Sequence, residues 1–311
     1  MEYRSLGRSG LKISELSFGS WITFGTKLDL HAARQCMRIA YDAGVNFFDN
    51  AEAYGEGAAE LFMGEALREF KRENVVVSTK IFWGGREPNQ TGLSWKHLVE
   101  GAKNSLRRLQ LDYVDLLFCH RPDPSTPIEE TMRAIDYLGK EGLFFYWGTS
   151  EWSAKEIERA HQIAKEYNLR PPTMEQPQYN LFCRERVEKE YLPLYDEYGM
   201  GTTIWSPLAF GVLTGKYNEG LSAESRLKLH QELQTYLTPK HLEQVKALSV
   251  ISNELNCSLA ELAIAWCLKN QHVSTVIIGA SSPEQLQENL RAKDLKQRLT
   301  DEVMHSIAAI F

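Results

Sequence analysis

The chain has 311 residues, 43% hydrophobic and 24% charged, the composition of an ordinary globular protein. Its formal net charge is −6 and no block of basic residues interrupts it, which argues against nucleic acid as a partner. No apolar run approaches the roughly 20 residues of a membrane-spanning helix, and no signal-peptide core follows the N-terminus. Cys36, Cys119, Cys183, Cys257 and Cys267 are odd in number and lack metal-ligand spacing, so reduced thiols, no metal site and a cytoplasmic location are expected.

In chain order, Tyr3–Leu6 and Leu11–Ile13 flank Gly7-Arg8-Ser9-Gly10 and predict a hairpin. Short apolar runs, rich in β-branched and aromatic residues, then recur. They predict strands at Glu15–Gly19, Val45–Asp49, Val75–Lys80, Tyr113–Cys119, Leu143–Gly148, Thr173–Gln176, Gly201–Trp205 and Ser274–Gly279. Amphipathic stretches between them, such as Leu30–Ala43, Trp95–Leu109, Ile128–Lys140 and Ala154–Tyr167, predict helices. Eight strand–helix repeats with right-handed crossovers close into an α/β fold, a (β/α)8 TIM barrel with an N-terminal β-hairpin and an extra C-terminal helix. Length alone would allow two domains, but no linker or composition shift divides the chain, so residues 1–311 read as one. Two connections are long for strand–helix loops, Ile81–Ser94 and the segment from Gly215 to about Pro239, and are candidate lids.

Four polar residues lie just past these apolar runs. Asp49 ends Val45–Asp49 with Tyr54 five residues on, Lys80 ends the third barrel strand, and His120 follows the fourth. In a parallel barrel, all strand C-termini open on one face, where catalytic groups collect. Carbonyl reduction needs an acid for the developing alkoxide. A free phenol is a weak acid at neutral pH, and a neighbouring ammonium is expected to draw its pKa toward the working range. The reading is therefore Tyr54 as general acid, Lys80 as its tuner, Asp49 as the lysine's partner and His120 as orienter of the carbonyl or proton relay. Trp21, Tyr54, Phe82, Trp83 and His120 are the expected substrate mouth, apolar and aromatic.

The last strand suggests a dinucleotide. Gly279-Ala280-Ser281-Ser282-Pro283-Glu284-Gln285 ends a strand and opens a helix with an N-cap serine, proline at the first position and a capping-box glutamine. Free N–H groups at such a start attract phosphate. Trp205-Ser206-Pro207-Leu208-Ala209 and Gly211 offer an apolar cradle, and Lys216 and Arg226 could add charge for a further phosphate. Gly55-Glu56-Gly57-Ala58-Ala59-Glu60 imitates a dinucleotide fingerprint, but Glu60 stands where a small residue must pack. Its glycines read better as keeping the backbone around Tyr54 tight. Asp115 reads as structural, Cys119 as a buried strand residue, and His31, His97, His161, His230, His241, His272 and His305 as solvated.

Asp49, Tyr54, Lys80 and His120 resemble the catalytic tetrad of the aldo-keto reductases. Beyond them, Lys80-Ile81-Phe82-Trp83-Gly84-Gly85, Arg121-Pro122-Asp123-Pro124, Tyr146-Trp147-Gly148-Thr149-Ser150, Trp205–Ala209, Leu262–Leu268 and Gly279-Ala280-Ser281 are similar to the β subunits of voltage-gated potassium channels and their microbial and plant relatives. The resemblance runs almost end to end. It implies a barrel that binds NADPH and reduces a small carbonyl substrate. Ser150 and Gln176 match positions that hold the nicotinamide amide, with Trp21 and Asp49 at the same end. Trp205, Ser206, Pro207, Leu208, Ala209 and Gly211 match the pyrophosphate cradle. Lys216, Arg226, Ser281, Gln285, Glu288 and Asn289, with Gly279 before them, match the segment around the adenosine and its 2′-phosphate. The resemblance also implies two open alternatives: a homotetramer acting as a channel's cytoplasmic domain with little turnover, or a monomeric reductase. His120 replaces the asparagine of the channel subunits, which favours the enzyme. Glu151 replaces their arginine and is expected to turn away from the phosphates. The chain begins almost at the hairpin, without the long N-terminal segment of some channel subunits.

Overall fold

The computed structural model describes residues 1–21, 23, 24, 28–220, 228 and 231–311. Eight parallel strands form a closed barrel: β3 (Leu16–Gly19), β4 (Phe47–Asp49), β5 (Val76–Ile81), β6 (Val114–Cys119), β7 (Phe144–Thr149), β8 (Met174–Glu175), β9 (Gly201–Ile204) and β10 (Thr275–Ile278). Each pairs with its sequence neighbour, and β10 closes on β3 with Val276 opposite Leu16 and Ile278 opposite Phe18. The TIM-barrel expectation holds, with every strand within two residues of its predicted bounds at each end.

The helices form where the sequence supplies both an apolar face and a stop. Trp95–Leu109 starts under Ser94, whose hydroxyl accepts from the His97 N–H, and ends at Gln110 in the left-handed conformation. Ala154–Tyr167 begins with the reciprocal Ser153–Glu156 capping box and ends at left-handed Asn168. Each turns one apolar stripe onto the barrel. The last helix, Asp301–Ala308, is the extra C-terminal one.

The N-terminal hairpin, β1 (Tyr3–Ser5) and β2 (Lys12–Ser14), closes the opposite mouth. Leu6 and Ile13 join Phe47, Val76, Leu116, Phe118 and Met174 in a cluster that fills the lumen. Gly7 permits this plug. It has φ +56°, and a Cβ there would meet Gly199 O at 2.3 Å. With the base filled, the open end of the lumen lies at the strand C-termini. Asp115 is structural as expected: it accepts from Val77 N and pairs with Arg72. No helix among the described residues is long and apolar enough to cross a membrane.

Candidate active site

Strand alternation decides which side chains reach the open end. On β5, Val76 joins the lumen cluster, Ser78 and Lys80 follow on the same side, and Thr79 faces outward to Glu60. Lys80 is completely buried. Its ammonium donates to Asp49 Oδ2 at 2.6 Å, to the Asn50 carbonyl at 2.8 Å and to the Tyr54 hydroxyl oxygen at 3.0 Å. All three ammonium donors are thereby used. Because Lys80 donates to the phenol oxygen, the phenolic proton is left to point elsewhere. The other Asp49 oxygen accepts from Ser78 Oγ at 2.8 Å and Gln176 Nε2 at 3.1 Å, which fixes the carboxylate.

The short turn Tyr54–Gly57 carries the phenol to this cluster, with Gly55 at φ +58° and Gly57 at φ +92°. Burial pushes the Tyr54 phenol above its ordinary pKa, and the opposing pull of Lys80 offsets only part of that. The expected drop toward neutrality is therefore overturned. The phenol is protonated at physiological pH, the form a proton donor needs. Lys80 is held above its usual range, its own burial being outweighed by Asp49 and Tyr54. His120 is buried beside Tyr54, with ring centroids 5.7 Å apart. Burial, then Lys80 and Arg121, drive its pKa well below the ordinary histidine range. A neutral imidazole can donate a hydrogen bond but carries no surplus proton. Its Nδ1 is buried without a hydrogen-bond partner among the described residues.

These groups open into one cavity of about 850 Å³. Its wall includes Trp21, Asp49, Tyr54, Trp83 and His120, together with Ser150, Gln176, Trp205, Ser206, Pro207 and Leu208. Gly211, Lys216, Gly279, Ser281, Gln285, Glu288 and Asn289 line the same cavity. Two expected residues do not reach it. Phe82 packs edge-on against Trp83 at 4.8 Å, and Ala209 is fully buried behind the cradle. Arg226 lies outside the described residues.

Glu151 is not among the residues that line the cavity. Its carboxylate pairs with Arg186 at 2.6 Å and accepts from Trp205 Nε1 at 2.9 Å, and so fixes a cavity-lining indole. The fingerprint-like Glu60 is buried against Arg108 and Thr79, a packing role. His97 is a correction. It is buried, not solvated, and its Nε2 lies 3.0 Å from Glu52 Oε1, which also accepts from Phe82 N at 2.7 Å. Sequence reading also gave no role to Arg121, Thr23 or Phe210, all on the cavity wall. Arg121 stood inside a recognised stretch, and its place directly after His120 was the available signal.

The family profile described as "Aldo/keto reductase family" matches residues 15–311. A protein of Oryza sativa subsp. japonica named "Probable voltage-gated potassium channel subunit beta" is 52% identical over 316 residues, covering 100% of this chain and 96% of that protein. A protein of the same name from Arabidopsis thaliana is also 52% identical over 316 residues with the same coverage. A similarly named protein of Schizosaccharomyces pombe is 48% identical over 318 residues, covering 99% of this chain and 92% of its own length. The profile spans all eight barrel strands and leaves out the N-terminal hairpin. The chain belongs to the aldo/keto reductase family, a membership that implies an oxidoreductase acting on small carbonyl compounds.

Proposed function

We propose that the chain is an NADPH-dependent reductase of aldehydes and some ketones, with Tyr54 as general acid. The observation that carries this is the Lys80 ammonium, bound at once to Asp49 and to the Tyr54 oxygen at the end of the cavity. A dinucleotide fits the residues present. One cavity is lined by both Tyr54 and Asn289, and Gly211 at φ +95° leaves room that a Cβ would take from Lys216, 2.8 Å from its Cε. Ser282 caps the Gln285 N–H at the start of Pro283–Leu290, and the remaining first-turn N–H groups suit a phosphate.

When bound, the reduced nicotinamide supplies the hydride. Ser150 and Gln176 would orient its amide, Trp205 to Leu208 and Gly211 its pyrophosphate, and Lys216, Ser281, Gln285, Glu288 and Asn289 its adenosine end. Arg226 belongs with that group in the proposal. His120, neutral, donates to the carbonyl oxygen and polarises it. Tyr54 gives its proton to that oxygen as charge develops, and Lys80 stabilises the phenolate left behind. Asp49 keeps Lys80 charged and in place. Water then returns a proton to Tyr54. Multiple-turnover loss of NADPH absorbance with aromatic and short-chain aldehydes tests the reading. Tight cofactor retention without turnover would contradict it.

The relatives' names favour a second reading, a β subunit of a voltage-gated potassium channel; a redox-reporting role and a homotetramer are part of that proposal. Solution mass and channel pull-down separate it from a monomeric reductase.

A further inference from the structure

The cavity contains a cation that the reduction of a simple aldehyde does not require. Arg121 Nη1 donates to the His120 carbonyl at 2.6 Å and to Ser150 Oγ at 3.2 Å. Its guanidinium lies over two indoles, 5.3 Å from the Trp83 ring centre and 5.9 Å from that of Trp205. Other partly buried arginines have carboxylate partners: Arg72 has Asp115, Arg108 has Glu60 and Arg186 has Glu151. Among the described residues, no carboxylate pairs with Arg121. A guanidinium stays charged at every physiological pH, and a half-buried charge without a counter-charge is unfavourable. Both of its hydrogen bonds to described residues come from Nη1, and the residue lines the cavity. The planar guanidinium fork matches a carboxylate in a bidentate arrangement.

Resting on the reductase reading, we propose that Arg121 selects substrates, receiving a carboxylate while Tyr54 and His120 hold the carbonyl. The preferred substrates are then aldehydes that also carry an acidic group, joined by a short apolar or aromatic spacer. Trp83 and Trp205 suit such a spacer, since both rings line the cavity and lie close to the guanidinium.

The test compares 4-carboxybenzaldehyde with its methyl ester on purified protein at saturating NADPH. The kcat/KM ratio of acid to ester is expected to be about tenfold or more, carried mainly by KM, as one charge-assisted contact implies. Arg121→Gln should bring the ratio to about one, and Arg121→Lys, which keeps charge without the fork, to an intermediate value. The ratio cancels any loss common to both substrates. A parent ratio near one, or an unchanged ratio in Arg121→Gln, overturns the proposal and leaves the reductase reading standing. A tenfold loss of NADPH affinity in Arg121→Gln with the ratio intact also overturns it, because the guanidinium would then serve the cofactor. If the parent reduces neither compound, the reductase reading fails and binding decides the anion site alone. Indole fluorescence titrations should then give tighter binding of benzoate than of benzamide, a preference lost in Arg121→Gln. Equal affinities would overturn it.

Discussion

The Lys80 ammonium donates to the Tyr54 hydroxyl oxygen across 3.0 Å in a site from which Lys80 has no contact with solvent. Two opposing effects meet there. Burial raises the phenol pKa, the ammonium lowers it, and burial is the larger. Removing the ammonium as Lys80→Met leaves the raising effect opposed only by the smaller pull of Arg121. Reduction should fall by on the order of 10²–10⁴-fold, and the alkaline limb of the pH–rate profile should move to higher pH. An unmoved limb would show that the two groups are not coupled.

His120 is neutral throughout the physiological range, its pKa held well below the ordinary value by burial and by two nearby cations. No limb near pH 6.5 is therefore expected in kcat. In His120→Asn, the amide can still donate a hydrogen bond, but from a different geometry. Slower reduction with little change in cofactor affinity is the expected result. A variant as fast as the parent would make His120 purely structural.

The fold was legible because its signals are local. Apolar runs of strand length and serine caps such as Ser94 and Ser153 mark boundaries without any knowledge of what lies across the barrel. The tetrad was legible for a related reason, since strand ends converge on one face whatever the helices do. What escaped depended on distant partners. His97 was expected in water because nothing near it in sequence suggests Glu52, 45 residues away. The sign of the Tyr54 shift depended on burial by residues distant in sequence, which periodicity does not report. Phe82 and Trp83 were grouped by adjacency, yet only Trp83 lines the cavity.

Glu52 and His97 form a buried pair beneath the loop that presents Trp83, with the Glu52 N–H donating to the Lys80 carbonyl at 3.1 Å. His97→Ala leaves the Glu52 carboxylate short of a partner. A loss of about 1.5–3 kcal/mol of stability is expected, the range for a hydrogen bond to a charged group. Denaturant unfolding measures it. An unchanged midpoint would mean that the loop is held by other contacts.

Glu175 is fully buried on β8, accepts from Thr149, and leaves Oε1 without a partner among the described residues. Burial raises its pKa from 4.5 to about 8. Between those values the folded chain holds a proton that the unfolded chain has released, so folding stability falls as pH rises across that window. Below it both states are protonated and the penalty is absent. Above it the full penalty, on the order of a few kcal/mol, is present. Glu175→Gln should flatten the pH dependence of melting between pH 5 and 8 relative to the parent. Parallel curves for the two proteins would contradict this.

Cofactor choice tests the proposed 2′-phosphate contacts. Lys216 lines the cavity and lies over the Tyr217 ring, with its Nζ 4.9 Å from the ring centre. A charge-assisted contact to a 2′-phosphate is worth about 1.5–3 kcal/mol. Lys216→Ala should therefore weaken NADPH about tenfold or more and leave NADH nearly untouched. Arg226→Ala should act in the same direction. Equal losses for both dinucleotides would remove the 2′-phosphate role.

The central claim is that Tyr54 delivers a proton in an NADPH-driven carbonyl reduction, and one comparison tests it most directly. The parent and Tyr54→Phe are assayed side by side for multiple-turnover oxidation of NADPH by an aromatic aldehyde, with NADPH affinity measured in parallel. The account predicts a parent that turns over and a variant slower by about 10²–10⁴-fold with its cofactor affinity retained. A variant that reduces the aldehyde at near the parental rate would contradict it.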